Sequence, residues 1–255
     1  MDKYVLITGA SAGIGKALAE EFAKQGHNLF LVARSEEKLN QIQCKLQEKY
    51  NIRVSVLPLD LLQVDAPDKL FQYIIENKLH IQCLINNAGM GDACLFENSD
   101  FNKDENIIKL NIIAPMKISR LFIPYMKNNN GGKIVNIAST LAFAPTAGEA
   151  VYAASKAFVL SFSQALYEET KKSNVSVLTI CPGVTATDFF NSAGFELGQF
   201  KAATPESFAE FAYESITKNK ALSVHRFSNR LTALFCRLAP RKMVREIFAS
   251  ACRTE

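Results

Sequence analysis

The stretch Tyr4-Val-Leu-Ile-Thr8-Gly9-Ala-Ser-Ala-Gly13-Ile-Gly15 decides the fold of this 255-residue chain. Its first residues form a continuous apolar run, which is typical of a strand buried on both faces. After the glycines, Lys16–Gln25 carries apolar residues at helical spacing and stops at Gly26. A strand, a glycine turn and a helix in this order can bind a phosphate group, because glycine allows close backbone approach and the helix N-terminus offers free N–H groups. The spacing is GxxxGxG and not the better-known GxGxxG, so a tight turn without a ligand is the alternative interpretation.

The alternation of strand and helix continues along the whole chain. Segments with helical periodicity separate six further runs that have the apolar pattern of buried strands, namely Asn28–Ala33, Ile52–Leu59, Ile81–Ile85, Lys133–Ala138, Val175–Cys181 and Leu222–His225. Strands that alternate with helices predict an α/β domain with a parallel sheet. We therefore predict one doubly wound Rossmann domain over residues 1–255, with a mainly parallel seven-stranded sheet and helices on both faces.

Composition and charge narrow the class of protein. Hydrophobic residues make up 48% of the chain, which is enough for a large core. The 29 basic and 25 acidic residues give a net charge of +4, which does not indicate nucleic-acid binding. The six cysteines show neither CxxC nor Cys/His ligand spacing, so we predict reduced thiols and no metal site. The chain opens in strand pattern without a leader, and no apolar run approaches the roughly 20 residues of a membrane span. These features predict a cytoplasmic protein that does not bind nucleic acid.

The residue after the second strand bears on the choice of nicotinamide cofactor. NAD-binding chains usually place an acidic residue at this position, where it accepts hydrogen bonds from the ribose 2′-hydroxyl. This chain has Arg34 there. A guanidinium group can pair with the 2′-phosphate of NADP in a forked geometry, whereas a carboxylate would repel it. The sequence therefore favours NADP(H) over NAD, and the alternative is that Arg34 only faces water at the end of a strand.

A serine, a tyrosine and a lysine form a candidate proton-transfer site. Tyr152 and Lys156 are four residues apart in a predicted helix and so lie on the same face. An adjacent ammonium group favours the phenolate and lowers the pKa of a tyrosine from about 10, which suits proton exchange with a carbonyl oxygen. Ser139 ends the fifth strand, at the edge where open α/β sheets bind ligands. The alternative is a solvated Tyr–Lys pair, since this spacing is common on amphipathic helices.

Further polar positions lie at strand ends and inside a helix. Asp60 follows the third strand, where the adenine edge of a dinucleotide would lie, although an aspartate there is also an ordinary cap. Asn86-Asn-Ala-Gly89 ends the fourth strand with small residues that let backbone lie flat against a cofactor and that also build turns. Asn111 lies within a long predicted helix, four residues before Pro115, and the two together predict a local distortion of that helix.

In combination, these motifs resemble those of the short-chain dehydrogenase/reductase family. The resemblance covers nearly the whole chain, and its motifs follow in the family's order: Thr8-Gly9-x-x-x-Gly13-x-Gly15, Asn86-Asn-Ala-Gly89, Asn111, Ser139, Tyr152-x-x-x-Lys156 and Pro182-Gly183. Any one motif is common, whereas all six in register are specific. The ending is similar to that of a branch with general carbonyl and 3-oxoacyl reductases.

The resemblance implies a role for each motif. For catalysis it implies that Tyr152 is the proton donor and that Ser139 hydrogen-bonds the substrate oxygen. It also implies that Lys156 binds the nicotinamide ribose and lowers the pKa of the tyrosine, and that Asn111 holds a water that links Lys156 to solvent. For the cofactor it implies a phosphate turn formed by Gly9, Ser11, Gly13, Ile14 and Gly15. It implies an adenosine site formed by Asp60, Asn87, Ala88 and Gly89. It further implies that the loop that covers the nicotinamide is formed by Pro182, Gly183, Thr185 and Thr187. NADP-preferring members often carry a basic residue where this chain has Ala12, which leaves more of the discrimination to Arg34.

The last quarter of the chain contains two regions outside these motifs. Residues 189–215 begin with a stretch rich in Phe, Gly and small polar residues, which predicts a mobile lid over the substrate or, equally, a disordered surface loop. Residues 218–255 form a basic amphipathic extension with nine Lys or Arg against two Glu, a charge of +7. Its helical segments can attach to an anionic membrane or recognise an acyl chain. We favour the interpretation that they close the substrate cleft or a subunit interface.

The sequence thus predicts an NADPH-dependent oxidoreductase that reduces a small-molecule ketone or aldehyde to an alcohol. The apolar lid and tail indicate a lipophilic carbonyl substrate, with a 3-oxoacyl compound as one case. Two alternatives stay open: an NAD-dependent alcohol or steroid dehydrogenase, and a non-catalytic nucleotide-sensing protein on the same fold. The family resemblance also implies a homodimer or homotetramer that pairs through the helices around Asn111 and Tyr152.

Overall fold

A parallel sheet forms the centre of the computed structural model, which describes residues 2–194 and 202–250. Its strands are Lys3–Thr8 (β1), Asn28–Ala33 (β2), Val54–Pro58 (β3), His80–Asn86 (β4), Gly132–Ile137 (β5), Val175–Cys181 (β6) and Leu222–Val224 (β7). They pair in the order β3-β2-β1-β4-β5-β6-β7, and each of these pairs is parallel. The predicted seven-stranded, doubly wound sheet is confirmed.

Helices cover both faces of this sheet. They are Gly13–Lys24 (α1), Glu36–Tyr50 (α2), Ala66–Glu76 (α3), Phe101–Ile108 (α4), Ala114–Asn128 (α5), Ala150–Thr170 (α6), Asp188–Ala193 (α7), Pro205–Thr217 (α8), Phe227–Leu238 (α9) and Arg241–Ser250 (α10). Side chains of β1 alternate between two apolar layers, with Val5 and Ile7 in the layer of α1, α2 and α8, and Tyr4 and Leu6 in the layer of α3 and α5. Because both faces of the sheet are buried, the sequences of its strands are continuous apolar runs.

The strand order places a crevice at the carboxyl edge of the sheet. The chain leaves β1 toward β2 on one side and returns to β4 on the other, so the connections after β1 and β4 diverge above the sheet. Ligands bind at such a switch point in open α/β sheets. The glycine turn follows β1, and Asn87-Ala-Gly89 follows β4, so both motifs lie at this crevice.

The long helix around Asn111 is interrupted, as the sequence predicted. Residues Lys109–Ile113 form a π-helical turn between α4 and α5, and Pro115 lies in the first turn of α5. A π turn widens the backbone ladder by one residue and is frequent at functional sites. It separates two helices that would otherwise be continuous.

The last quarter divides into parts with different packing. Helix α8 packs on α1 with Phe208, Ala209 and Ala212 buried in the core. Among the other described residues of region 189–215, Ala203 pairs with Thr185 in the loop after β6. Residues 195–201 of that region lie outside the described residues, as do residues 251–255 of the C-terminal extension. Across the part of the chain that the structure covers, none of the helices is both long enough and apolar enough to traverse a bilayer.

Candidate active site

Helix α6 carries Tyr152 and Lys156 one turn apart on its buried side. Tyr152 is 9% exposed and Lys156 is 6% exposed. The Lys156 ammonium donates a hydrogen bond to the carbonyl oxygen of Ile137 at the end of β5, with an N–O distance of 3.0 Å, and lies 5.8 Å from the centroid of the Tyr152 ring. Burial lowers the pKa of Lys156 to about 8. The predicted pair is therefore a buried pair and not a solvated one.

Ser139 connects β5 to the short 3-10 helix Thr140–Phe143. Its Oγ accepts a hydrogen bond from the backbone N–H of Leu141, 3.2 Å away, which fixes the hydroxyl at the carboxyl edge of the sheet. A hydrogen bond also links the Ser139 side chain to the Tyr152 phenol. The structure therefore brings together the three groups that the sequence predicted for proton transfer.

The net effect on Tyr152 differs from the expectation based on Lys156. Burial raises the pKa of Tyr152 well above its usual value, the hydrogen bond with Ser139 opposes this, and the negative charge of Glu149 raises it further. Lys156 is not among the groups that shift this pKa, and its Nζ donates to the carbonyl oxygen of Ile137. Tyr152 consequently holds its proton at neutral pH.

Asn111 links the π turn to the loop after β4 and to α6. Its Nδ2 donates to Met90 O at 2.9 Å and to Ser155 Oγ at 3.0 Å, while its Oδ1 accepts from Met90 N at 3.0 Å. Ser155 Oγ in turn donates to the Tyr152 carbonyl oxygen at 2.7 Å. Asn111 thus ties the loop after β4 to α6.

Gly89 lies between Asn111 and Lys156. A Cβ built on Gly89 would stand 3.1 Å from Asn111 Oδ1 and 3.5 Å from Lys156 Nζ. Glycine therefore leaves an open approach to the lysine from the β4 side. A larger side chain at this position would fill that approach.

The glycine turn after β1 has the form of a phosphate cradle. Gly9 and Gly13 have φ values of +67° and +51°, in the left-handed region that favours glycine. A Cβ on Gly15 would overlap the carbonyl oxygen of Gly9. Helix α1 starts at this turn without a side-chain cap and without an acid in its first turn, so its N–H groups stay available to an anion. Ser11 and Ile14 lie half-buried in the same segment.

Thr8 and Asn87 tie this turn to the end of β4. Thr8 Oγ1 accepts hydrogen bonds from the backbone N–H groups of Asn87 and Ala88, each at 3.0 Å, and Asn87 Nδ2 donates to the Thr8 carbonyl oxygen at 2.9 Å. The side chain of Asn87 is therefore engaged with the turn itself. Thr8 is not among the site residues predicted from the sequence, although a threonine that ends an apolar strand was a visible signal.

The loop after β6 closes over the other side of the crevice. Pro182 O accepts from Thr140 N at 2.9 Å, which fastens the loop to Ser139's neighbour, and Thr185 Oγ1 donates to Gly183 O at 3.0 Å. Thr187 lies against the glycine turn, since a Cβ on Gly13 would be 3.2 Å from its Cγ2. The structure thus brings the predicted phosphate turn and the predicted nicotinamide loop together.

Arg34 and Asp60 occupy the outer end of the crevice. They follow the paired strands β2 and β3, which are joined beyond their ends by a hydrogen bond from Leu59 N to Ala33 O of 2.9 Å. Arg34 is exposed. Asp60 Oδ1 accepts from Leu62 N at 3.0 Å, so this carboxylate also caps the turn that follows. Both alternatives for Asp60, a cap and an adenine neighbour, are compatible with this geometry.

Two residues that are not among the predicted site residues, Glu149 and Phe189, lie next to the proton-transfer groups. Glu149 precedes Tyr152 by three residues, and burial raises its pKa to about 7. The ring of Phe189 in α7 lies 5.6 Å from the Tyr152 ring, centroid to centroid, and a Cβ on Gly91 would be 2.8 Å from it. An acid three positions before the tyrosine was a visible signal, because the N-cap residue of a helix, here Glu149, lies close to the residue at N3, here Tyr152. The contact of Phe189 depends on the tertiary fold.

The described residues fit a nicotinamide dinucleotide. The cradle has glycines where side chains would collide, an uncapped helix N-terminus for phosphate and an exposed arginine beside the outer strand end. At the opposite end of the crevice lie the buried tyrosine and lysine. A phosphate site, a cation at the adenosine end and a proton donor at the reactive end are what such a cofactor needs.

Comparison with known proteins agrees with this arrangement. Residues 3–196 match the short chain dehydrogenase family. The chain is 30% identical to the very-long-chain 3-oxoacyl-CoA reductase of Mus musculus over 93% of this chain and 77% of the mouse protein.

Solved structures show the same likeness. A short-chain dehydrogenase from Sphingobium yanoikuyae in complex with NADPH is 31% identical, with a TM-score of 0.84 and 92% coverage of both chains. A short chain dehydrogenase/reductase from Burkholderia phymatum in complex with NAD is 22% identical, also with a TM-score of 0.84 and 92% coverage of both chains. The shared fold therefore accommodates either nicotinamide cofactor.

Proposed function

Since this chain belongs to the short-chain dehydrogenase family and is an NAD(P)-dependent oxidoreductase, we propose that it uses NADPH to reduce a ketone or aldehyde to an alcohol. The observation that carries this proposal is the buried group of Ser139, Tyr152 and Lys156 at the carboxyl edge of the sheet. A nucleotide-sensing protein would not need a proton donor in such a position.

The proposed reaction assigns the proton to Tyr152. The cofactor supplies the hydride when it is bound. Burial keeps the phenol protonated at neutral pH, so it can donate to an oxygen that gains negative charge, and the Ser139 hydroxyl can hydrogen-bond the same oxygen. Lys156 is held by Ile137 close to the ring, from where its charge favours the phenolate left after proton transfer. Asn111 orders the helix that carries both groups.

The proposed cofactor site uses the segments that line the crevice. The glycine turn would hold the phosphates through Gly9, Ser11, Gly13, Ile14 and Gly15. The ends of β3 and β4 would hold the adenosine through Asp60, Asn87, Ala88 and Gly89. The loop after β6 and helix α6 would hold the nicotinamide end through Pro182, Gly183, Thr185, Thr187, Tyr152 and Lys156. Arg34 takes the 2′-phosphate, and its exposure leaves the guanidinium accessible.

A lipophilic carbonyl compound is the proposed substrate class. Phe189 presents an aromatic ring beside Tyr152, so an apolar group next to the carbonyl would find an apolar contact. The similarity to a mammalian very-long-chain 3-oxoacyl-CoA reductase supports 3-oxoacyl compounds within this class.

Replacement of Tyr152 by Phe tests the catalytic assignment. We expect the rate of carbonyl reduction to fall about 10²- to 10⁴-fold, the usual contribution of a general acid, while cofactor binding persists. Tyr167→Phe on the same helix is the matched control and should leave the rate unchanged. Unchanged reduction by Tyr152→Phe would contradict the assignment, and the absence of any reductase activity in a cofactor-binding wild type would favour the sensing function.

The cofactor preference is tested by fluorescence titration with NADPH and NADH. We expect Arg34→Ala to weaken NADPH binding about 10- to 100-fold, because it removes a charge-assisted hydrogen bond, and to leave NADH binding nearly unchanged. Arg120→Ala, which removes an exposed arginine of α5, is the control. Arg34→Asp should reverse the preference. Equal binding of both cofactors by the wild type and by Arg34→Ala would favour the NAD-dependent alternative.

A further inference from the structure

Helix α9 carries an apolar stripe that faces away from the domain. Its members are spaced by four, three and four residues, which puts them on one side of the helix, and they are exposed by 71%, 51%, 52% and 74%: Phe227, Leu231, Leu234 and Leu238. We call these four residues the α9 stripe. A contiguous patch of large exposed apolar side chains usually marks a site of interaction with a partner or a membrane.

The opposite side of α9 is the one that packs on the domain. Ala233 packs against a small buried cluster to which α6, β6 and β7 contribute. Asn229 Nδ2 donates to His225 O at 2.8 Å and also lies directly against Gly183. These contacts fix the orientation of α9, and they leave the α9 stripe outward because it lies on the other side of the helix.

The charged residues of α9 and α10 are almost all basic. Helix α9 contains no acidic residue, and its Arg237 is exposed. Helix α10 follows after two residues and adds Arg241, Lys242 and Arg245 against a single acid, Glu246. Val244 is buried and anchors α10 to the domain, while its neighbour Met243 is exposed. The two helices therefore present apolar and cationic groups together.

We infer that the α9 stripe and the basic residues of α9 and α10 bind the surface of an anionic lipid bilayer. An amphipathic helix with apolar side chains on one face and arginine or lysine beside them lies in the plane of such a membrane, with the apolar face below the headgroups. Each basic residue near an anionic surface adds to the attraction. The helix lies on the membrane and does not cross it.

Charge argues against a second copy of this chain as the occupant. Two copies that faced each other through the α9 stripe would bring the same arginines together with only Glu246 on the described parts of these two helices to offset them, and like charges repel at short range. An anionic bilayer offers both the apolar phase and the opposite charge. Because Asn229 lies against Gly183, this membrane-facing helix also contacts the loop proposed to cover the nicotinamide.

Vesicle flotation of the full chain tests the inference. We expect the protein to float with vesicles that mix phosphatidylcholine with phosphatidylglycerol, to stay behind with pure phosphatidylcholine, and to be released by high salt. The variant Leu231→Ser/Leu234→Ser/Leu238→Ser should lose binding about 100-fold or more, since three leucines no longer leave water. Arg237→Gln/Arg241→Gln/Arg245→Gln should lose about 100-fold, a factor of about five for each basic residue.

The controls separate membrane binding from other effects. Val64→Ser/Ile75→Ser removes similarly exposed apolar residues elsewhere and should leave flotation unchanged. Circular dichroism and NADPH titration check the fold of each variant, and the single variant Leu234→Asp replaces the triple variant if that one does not fold. Three results would overturn the inference: no flotation with anionic vesicles, flotation that depends on the arginines but not on the leucines, or a wild-type dimer that the leucine variant converts to a monomer.

Discussion

Burial acts on Tyr152 and Lys156 in the same sense, because it favours the neutral form of each. It raises the pKa of the phenol and lowers that of the ammonium group to about 8. The hydrogen bond with Ser139 works against the shift of the phenol, and the carboxylate of Glu149 works with it. We therefore expect Glu149 to influence the pH range of the reaction through the pKa of Tyr152.

The variant Glu149→Gln should shift the pH profile to lower values. Removal of the negative charge lowers the pKa of Tyr152, so on the rising limb of alcohol oxidation the variant should be faster than the wild type at each pH, and reduction should decline at a lower pH. The measurement is kcat/KM against pH in both directions. Glu169→Gln, an exposed residue of the same helix, should not shift the profile. A shift of the Glu149→Gln profile to higher pH would contradict the assignment.

The same variant should also change how stability depends on pH. The pKa of Glu149 is about 7 in the folded chain and about 4.5 when unperturbed, so the folded state binds more protons between these values. The contribution of this residue is therefore present below about pH 4.5 and is lost as the pH rises through 7. We expect the Tm of Glu149→Gln minus that of the wild type to increase from pH 5 to pH 8, measured by thermal unfolding. A difference that stays constant or decreases would show that the carboxyl group is not desolvated.

At the scale of elements, the glycine turn needs glycine for two reasons: the positive φ of Gly9 and Gly13, and the close contact of Gly15 with the carbonyl group of Gly9. Gly15→Ala would push a Cβ into the carbonyl oxygen of Gly9, so the turn must move, and we expect NADPH affinity to fall at least about tenfold together with the Tm. Gly26→Ala is the control: Gly26 has a positive φ of 80°, which Gly15 does not, but apart from its chain neighbours no described atom lies within 4 Å of the new Cβ.

This control should separate strain from binding. Gly26→Ala should cost about 1 kcal/mol of unfolding free energy through backbone strain and leave NADPH affinity unchanged. Titration and thermal unfolding of both variants give the two readouts. If Gly15→Ala bound NADPH as well as Gly26→Ala does, the cradle would not be the phosphate site.

At the scale of the whole molecule, the helices around Asn111 and Tyr152 leave apolar side chains exposed. Ile108, Ile113 and Phe158 are each at least 36% exposed, and they lie on α4, the π turn and α6. We expect this face to pair two copies of the chain, and Phe158→Asp together with Ile113→Asp to yield a monomer by light scattering, because a charge without a partner is costly to bury. Ile75→Asp on α3 should keep the dimer. A wild type that is monomeric at micromolar concentration would contradict the expectation.

Several site features could be predicted because they depend on local rules. The glycine turn after β1, the shared face of Tyr152 and Lys156 and the interruption near Asn111 follow from the small size of glycine, from helical periodicity and from the effect of Asn and Pro on a helix. The direction of the Tyr152 pKa could not be predicted in this way. Burial decides it, and burial depends on the elements that surround α6.

The sequence by itself determined the order of strands and helices along the chain, the glycine turn and the residues available for proton transfer, because each depends on residues that are close to one another in the sequence. Only the tertiary structure decided how distant segments meet: Asn87 with Thr8, Thr187 with Gly13, and Phe189 with Tyr152. It also decided which side of α9 packs on the domain and which side stays outward. The physical reason is that burial and contact are properties of surfaces brought together from separate parts of the chain, and no local pattern specifies its partner.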